Sequence, residues 1–244
     1  MCQVCGQFAA WSSAWLQGRA AFDDVIAHSR SGAAGVSDLS HDGGFSAVGE
    51  VLAAWRRAGA SGVRAAFPVP GDVRGVPGPA AFRTAALDAG AAVLGGTVGL
   101  VPQPLSGAAS SAHDLIRWQI HDVADARGDF VSLEDAAHEL AESIRESASV
   151  LAGASPAGWT VDVREDLSDA RRAGERLVLP PGYPQRAVSL LAQAERLALV
   201  LDLASSSTVD LAGRQAERDE ALRPLATAVR RARVAGYNVL APTG

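Results

Sequence analysis

The sequence predicts an α+β fold, in which helices cover a small mixed sheet of three to four strands and a C-terminal helical hairpin closes it. Apolar residues recur at spacings of three and four near both ends of the chain, which is typical of helices with one buried face. Between these regions, short apolar runs end in prolines or glycines, which favours strands. With 244 residues, of which 48% are hydrophobic and 20% charged, the chain is long enough for a large packed core.

The N-terminal part of the chain predicts two helices joined by a loop. Residues 8–29 place large apolar residues on one helical face, although Gly18 weakens the middle. Residues 31–44 are rich in Gly and Ser and are expected to form a loop. Residues 45–55 repeat the helical spacing, and this second helix is expected to end at Gly59. We expect the tryptophans of both helices, Trp11, Trp15 and Trp55, to lie in the core.

The middle of the chain predicts three strands and one helix. Residues 62–69 and 91–104 are apolar, rich in β-branched residues and closed by prolines, and a helix is expected between them at 79–90. A right-handed crossover would make these two strands parallel. Residues 115–123, "LIRWQIHDV", alternate apolar and polar side chains, which predicts a strand with one solvated face that pairs antiparallel.

The last part of the chain is predicted to be helical. Ser132 and Asp135 are typical of a capped helix start, and this helix is expected to reach about residue 152. Two further helices are predicted at 185–204 and 208–235, the second kinked or restarted by its internal proline. We therefore divide the chain into an α/β part, a connecting segment with a possible short strand "WTVDV", and a helical hairpin packed on the same domain. These three parts are residues 1–152, 153–183 and 184–244.

The composition excludes several classes of function. All 22 basic residues are arginine, which is typical of a high-GC genome, and a lysine-free chain cannot form a Schiff base or a Walker phosphate-binding loop. The net charge of −5 lacks the basic excess that attracts nucleic acid. There is no apolar stretch of membrane-spanning length, and two cysteines are too few for a disulfide framework. We expect a cytoplasmic protein with no cofactor, no nucleic-acid partner and no membrane partner.

The segment "FPVPGDVRGVPGPAAF" at residues 67–82 has two possible interpretations. It can form tight turns in which proline sets φ and glycine supplies positive φ. Alternatively, its backbone N–H groups and Arg74 can cradle an anion beside the start of the following helix. The glycines match no known phosphate-binding motif, so both interpretations stay open. The ligand-binding residues of the second interpretation are Gly71, Asp72, Arg74, Gly75 and Gly78.

A catalytic site at the same sheet edge is the second part of that hypothesis. If the strands are parallel, the loop that precedes residues 115–123 brings His113 and Asp114 close to Asp72 and Arg74. His113 would then be the acid or base, and Arg74 would hold the anionic group of a substrate. The weak catalytic candidates are therefore His113, Asp114 and Asp72. His121 is an isolated candidate base, which a solvated sheet face explains equally well.

Metal binding has little support in the sequence. Cys2 and Cys5 form a C-x-x-C motif, but a structural zinc site needs four ligands and no second cysteine pair exists. We expect incidental thiols. Glu134, His138 and Glu142 lie four residues apart on one predicted helix face, where they can ligate a metal or form a solvated row of weak pairs.

Three stretches resemble a family of uncharacterised actinobacterial proteins. They are "PVPGDVRGVPGPAAFRTAALDAGAAV" at 68–93, "LPPGYPQRAVSLLAQAERLALVLDLA" at 179–204 and "ERDEALRPLATAVRRA" at 217–232. The resemblance implies no activity, and it leaves the C-x-x-C motif outside the shared part.

Two functional hypotheses follow from the sequence. The first is a non-enzymatic module that binds an unknown protein partner or assembles with itself as a homo-oligomer. The second is a protein that binds an anionic small molecule, or a hydrolase-type enzyme, and that uses the sheet edge near residues 70–78 and 113–114. Because no catalytic motif stands out, the first hypothesis is preferred, and whether the chain is an enzyme is left open.

Overall fold

The structure, a computed structural model, confirms the predicted α+β class. It describes residues 2–29, 36–41, 44–46, 48–104, 116–123, 130–153, 177–206 and 212–241. The helices in these ranges are α1 (Cys2–Leu16), α2 (Phe22–Ser29), α3 (Val48–Arg57), α4 (Ala80–Ala89), α5 (Leu133–Gly153), α6 (Gln185–Ser206) and α7 (Ala212–Tyr237). The strands are β1 (Val36–His41), β2 (Gly44–Ser46), β3 (Arg64–Ala66), β4 (Ala92–Gly95), β5 (Val98–Pro104) and β6 (Ile116–Asp122). Within these ranges, no helix is long and apolar enough to cross a membrane.

The sheet is mixed, as predicted, and its described strands follow the order β2-β1-β6-β5-β4-β3. β1 runs parallel to β6, with Leu39 opposite Trp118. The other neighbours are antiparallel, and β5 pairs with β6 over its whole length, from Val98 opposite Asp122 to Pro104 opposite Ile116. The antiparallel pairing predicted for residues 115–123 is therefore confirmed.

The predicted parallel crossover is wrong. β3 and β4 are antiparallel, with Arg64 opposite Leu94 and Ala66 opposite Ala92. Residues 91–104 were expected to be one strand, but they form the hairpin β4–β5 around Gly96 and Thr97. The reason is local, because Gly96 adopts a φ of +54° that suits a tight turn. Since β4 pairs with both β3 and β5, the sheet at this point is an antiparallel meander.

The N-terminal region also holds two strands that were not expected. β1 lies where a loop was predicted, and β2 includes Phe45, which was expected to begin the second helix. β1 and β2 form a hairpin in which His41 lies opposite Gly44. The intervening "DG" at residues 42–43 is a strong hairpin signal that the Gly- and Ser-rich composition obscured. The single helix expected over residues 8–29 is also wrong, because the chain forms two helices there. Gly18 has a φ of +72° and separates α1 from α2.

Helices cover both faces of the sheet in the first compact unit, which comprises residues 1–130, 178–183 and 237–244. On one face, Phe8 of α1 packs against Trp118 and Trp55, with ring centroids 5.3 and 5.9 Å apart. On the other face, the ring of Phe82 in α4 lies directly over Gly99. Gly99 lies opposite His121 of β6, which is three residues after Trp118. Side chains alternate between the two faces along a strand, so Trp118 and His121 lie on opposite faces, and α1 and α4 contact opposite faces of the sheet.

Helix α1 is buried on all sides, because every residue from Cys5 to Trp15 is buried. Its closest approach to another element is at Gly6, which lies against the ring of Tyr237. A methyl group at Gly6 would overlap that ring. Only glycine therefore fits this position without movement of its neighbours.

The second compact unit, residues 131–177 and 184–236, contains α5, α6 and α7. Its core includes many alanines, which let helices pack closely: Ala136, Ala194, Ala198, Ala228, Ala232 and Ala235.

The predicted cap is confirmed, since the N–H of Asp135 donates to Ser132 Oγ at 3.0 Å. Helix α7 continues through Pro224, so this proline does not restart the helix. The boundaries predicted at 152 and 183 stay a prediction, and residues 154–176 of the connecting segment, "WTVDV" included, lie outside the described residues.

One ion pair is buried inside this second unit. Glu195 of α6 is only 3% exposed, and Arg233 of α7 donates to its carboxylate at 2.6 Å. The charges of both groups also affect Asp202. Its pKa is raised, mainly by burial and to a smaller extent by Glu195, and this rise exceeds the lowering that Arg233 causes.

Gly6→Ala is expected to lower the free energy of unfolding by about 2 kcal/mol, because the new methyl group overlaps the Tyr237 ring and this cost exceeds the gain in helix propensity. Chemical denaturation measures the difference. Ser12→Ala on the same helix is the control, since the buried Ser12 hydroxyl has no hydrogen-bond partner in the described structure and its loss is expected to change stability by less than about 0.5 kcal/mol. An equal effect of both substitutions would contradict this packing.

Arg233→Met is expected to destabilise the protein by about 3 kcal/mol, since it leaves the buried Glu195 carboxylate without this cation. Arg223→Met on the same helix is the control, because Arg223 pairs with Glu220 at the surface and such pairs contribute at most about 1 kcal/mol. Thermal and urea unfolding of both variants give the comparison. The double variant Glu195→Gln with Arg233→Met should recover part of the loss, and no recovery would show that the pair is not the cause.

Candidate functional site

The proline- and glycine-rich segment forms a rigid projecting loop on the first compact unit. Its two ends are anchored by the buried side chains of Phe67 and Val76. At its tip, Val69 and Asp72 exchange two backbone hydrogen bonds of 3.0 and 2.8 Å. Pro70 and Gly71 occupy the two central positions of this turn, and Gly71 has a φ of +85°. This is the residue pattern of a type II turn.

The tip, which comprises residues 69–74, carries one ion pair and two exposed valines. The guanidinium of Arg74 donates to both carboxylate oxygens of Asp72, at 2.9 and 2.7 Å. The backbone N–H of Arg74 also donates to Asp72, at 3.2 Å. Val69 is 39% exposed and Val73 is 45% exposed. The tip is thus neutral, fixed in shape and partly apolar.

The other two glycines of the segment also have positive φ, which matches the turn interpretation. Gly75 has a φ of +78° and Gly78 a φ of +110°. A side chain at Gly78 would also crowd Val123, whose Cβ lies 3.3 Å from the position of an added methyl group. Each of these glycines therefore has a conformational reason to be present without a ligand.

The anion cradle and the catalytic residues stay a prediction. His113 and Asp114 lie outside the described residues, so their distances from Asp72 and Arg74 are not defined. The parallel strands that were expected to bring these residues together do not exist. In addition, Arg74 offers its guanidinium fork to Asp72, and an anion would have to displace that carboxylate.

His121 lies on the face of the sheet that α4 covers. Its ring centroid is 5.4 Å from that of Phe82, and its Nε2 is buried without a hydrogen-bond partner in the described structure. Burial lowers the pKa of His121 below its ordinary value of 6.5. On the same face, Gln103 donates to Gln119 at 2.7 Å. The predicted alternation is present, with Trp118 buried on the opposite face. The face that carries His121 was expected to be solvated, but α4 covers it at this residue.

The cysteines lie on one turn of α1 and are not joined in a disulfide. Cys2 Sγ contacts the carbonyl oxygen of Gly90 at 3.7 Å. Cys5 is fully buried, and burial raises the pKa of its thiol far above the ordinary value, so the thiolate needed for nucleophilic or metal chemistry is disfavoured. In the described ranges, no three His, Cys, Asp or Glu side chains are grouped to hold a metal ion.

In the row of Glu134, His138 and Glu142 on α5, the last two residues form a surface pair. His138 Nε2 lies 3.2 Å from Glu142 and both side chains are exposed. Such a pair contributes little to stability or to metal affinity.

The sequence analysis missed the two exposed valines of the tip. Val69 and Val73 were read only as neighbours of the glycines and prolines. Valine is uncommon in an exposed turn, where Gly, Pro, Asn, Asp and Ser dominate, and that mismatch was the available signal.

Stability is expected to fall as the pH drops below about 6.5, partly because of His121. Since folding lowers the pKa of His121, the unfolded chain takes up a proton at a higher pH than the folded chain, and this favours unfolding. His121→Gln should flatten the pH dependence between about pH 5 and 7, as measured by urea denaturation. Gln119→Ala, on the same face, should keep the wild-type dependence. A histidine that titrates by NMR at or above 6.5 would contradict this expectation.

Comparisons with known proteins match the chain along nearly its whole length. Residues 5–130 match the N-terminal domain of Rv1486c-like proteins, and residues 134–234 match the C-terminal domain. Two relatives from Mycobacterium tuberculosis are each 28% identical over 94% of this chain and 94% of their own length. They are "Uncharacterized protein Rv1486c" of strain H37Rv and "Uncharacterized protein MT1533" of strain CDC 1551. No solved structure matches significantly. The resemblance to an actinobacterial family is thereby confirmed, and the chain belongs to the Rv1486c-like protein family.

Proposed function

We propose that this chain is a non-enzymatic, cytoplasmic module that assembles with a second copy of itself through the tip at residues 69–74. The observation that carries the proposal is the pair of exposed valines held around an ion pair by a rigid turn. A turn needs no apolar residues for its own formation. Single exposed apolar residues are common on protein surfaces, but two on one six-residue tip form a small apolar patch, which favours a contact with another protein surface.

A second copy is the occupant that the charges of the tip favour. A twofold contact brings the same patch of both copies together, so the patch must complement itself. The tip carries one carboxylate and one guanidinium, 2.7 Å apart. Asp72 of one copy can therefore face Arg74 of the other while the valines pack between the two pairs. Although the chain carries a net charge of −5, the tip itself is neutral and adds no repulsion.

The rigidity of the tip lowers the cost of such a contact. Association loses free energy when flexible side chains and loops become ordered. Here the turn is already closed by two backbone hydrogen bonds, and its ends are anchored by Phe67 and Val76. Because the tip is small, the contact is expected to be weak and dependent on concentration.

The cytoplasmic part of the proposal rests on the cysteines. The chain has two cysteines, which are too few for the disulfide framework of many secreted domains. This number favours a reducing compartment.

Val73→Asp is expected to weaken self-association at least about tenfold, because an unpaired carboxylate would be forced into the contact. Sedimentation velocity over a range of protein concentrations measures the association. Val178→Asp is the matched control, since Val178 is 39% exposed on the same compact unit but lies outside the tip. A wild-type protein that stays monomeric at every concentration would contradict self-assembly. An equal loss in both variants would contradict the role of the tip.

Charge exchange at the tip gives an independent check of the twofold contact. Asp72→Arg alone places two cations on each copy and should prevent association. The double variant Asp72→Arg with Arg74→Asp restores one charge of each sign and should recover it. Failure of the double variant to recover association, while its thermal unfolding matches the wild type, would contradict the proposed pairing.

A further inference from the structure

Strand β3 lies at one edge of the sheet, and side chains complete its outward hydrogen bonds. In the described structure, only β4 pairs with β3. Just before β3, the N–H of Val63 donates to Ser13 Oγ at 2.8 Å, and the hydroxyl of Ser13 donates to the carbonyl of Val63 at 2.8 Å. One buried hydroxyl therefore pairs with both backbone groups of that residue.

The next outward-facing residue, Ala65, is paired by Asn238. The N–H of Ala65 donates to Asn238 Oδ1 at 2.7 Å, and Asn238 Nδ2 donates to the carbonyl of Ala65 at 2.9 Å. A side-chain amide offers one acceptor and a donor in the same plane, as a backbone peptide group does. Asn238 thus makes with β3 the pair of hydrogen bonds that a neighbouring strand would make. It is the only asparagine of the chain.

Several contacts hold Asn238 in this position. The preceding residue, Tyr237, is fully buried, with its ring against Gly6 and 6.2 Å from the ring of Phe67. The hydroxyl of Tyr183 donates to the carbonyl of Tyr237 at 3.0 Å. After Asn238, the side chain of Gln17 donates to the carbonyl of Leu240. The chain around Asn238 is therefore fixed on both sides.

We propose that Ser13 and Asn238 act as an edge lock that prevents β3 from pairing with the same strand of a second copy. An unpaired strand edge is a template for another strand, and proteins protect such edges by covering them. Val63 and Ala65 are buried and apolar, so the two residues whose backbone groups are paired in this way carry no charge that would repel a neighbouring strand. Arg64, which lies between them, is the only charged residue of β3. The surface used here is distinct from the tip, and the inference does not depend on the proposed function.

Amide hydrogen exchange tests the lock at single residues. Asn238→Ala should increase the exchange rate of the Ala65 amide by about tenfold, since that N–H loses its acceptor. Ser13→Ala should expose the Val63 amide in the same way, whereas Ser12→Ala, one residue earlier on α1, should not. Unchanged exchange in Asn238→Ala and Ser13→Ala would overturn the proposal.

Self-association tests the consequence. The double variant Ser13→Ala with Asn238→Ala is placed in a Val73→Asp background, so that the contribution of the tip is weakened. At the same protein concentration it should form more dimers or larger species by sedimentation velocity than Val73→Asp alone. A folded double variant that shows fast exchange at Val63 and Ala65 but associates no more than Val73→Asp would overturn the proposal. If the double variant does not fold, each single variant is measured in the same background, and both must associate more than the Val73→Asp protein.

Discussion

The burial of helix α1 on all sides is the constraint on which the first compact unit depends. Its residues from Cys5 to Trp15 are buried, so the surrounding elements must fit a cylinder of mostly small side chains. Phe8 fills the space above the sheet against Trp55 and Trp118. Gly6 admits the ring of Tyr237. Because protein interiors are close-packed, a change at any of these contacts is transmitted to its neighbours.

The same helix contributes to the protection of the sheet. Ser13 faces the backbone beside β3 rather than solvent, and it satisfies two polar groups that would otherwise be buried and unpaired. Asn238 repeats this arrangement two residues further along the strand, at Ala65. The tip at residues 69–74 is different in character, since its polar groups are satisfied within the turn and its valines are exposed. One region of this unit is thus closed to other chains, and another is open to them.

The second compact unit combines alanine-rich packing with a buried ion pair. Small side chains let the helices approach, and most of the stabilisation comes from the contact of their apolar faces. Glu195 and Arg233 add little net stability over an apolar pair of the same size, but each makes removal of the other costly.

The sequence by itself determined the fold class, most helix positions and the turn chemistry, because these depend on local periodicity and on the φ preferences of Gly and Pro. The cap at Ser132 and the strand that contains Trp118 follow from neighbours within a few residues. Strand direction did not follow, since residues 91–104 read equally well as one strand or as a hairpin. The pairing of Asn238 with Ala65, 173 residues apart, and the exposure of Val69 and Val73 were decided only by the tertiary structure. Distant segments of the chain meet only after it has folded. These contacts decide which backbone groups are hydrogen-bonded and which valines stay exposed to solvent.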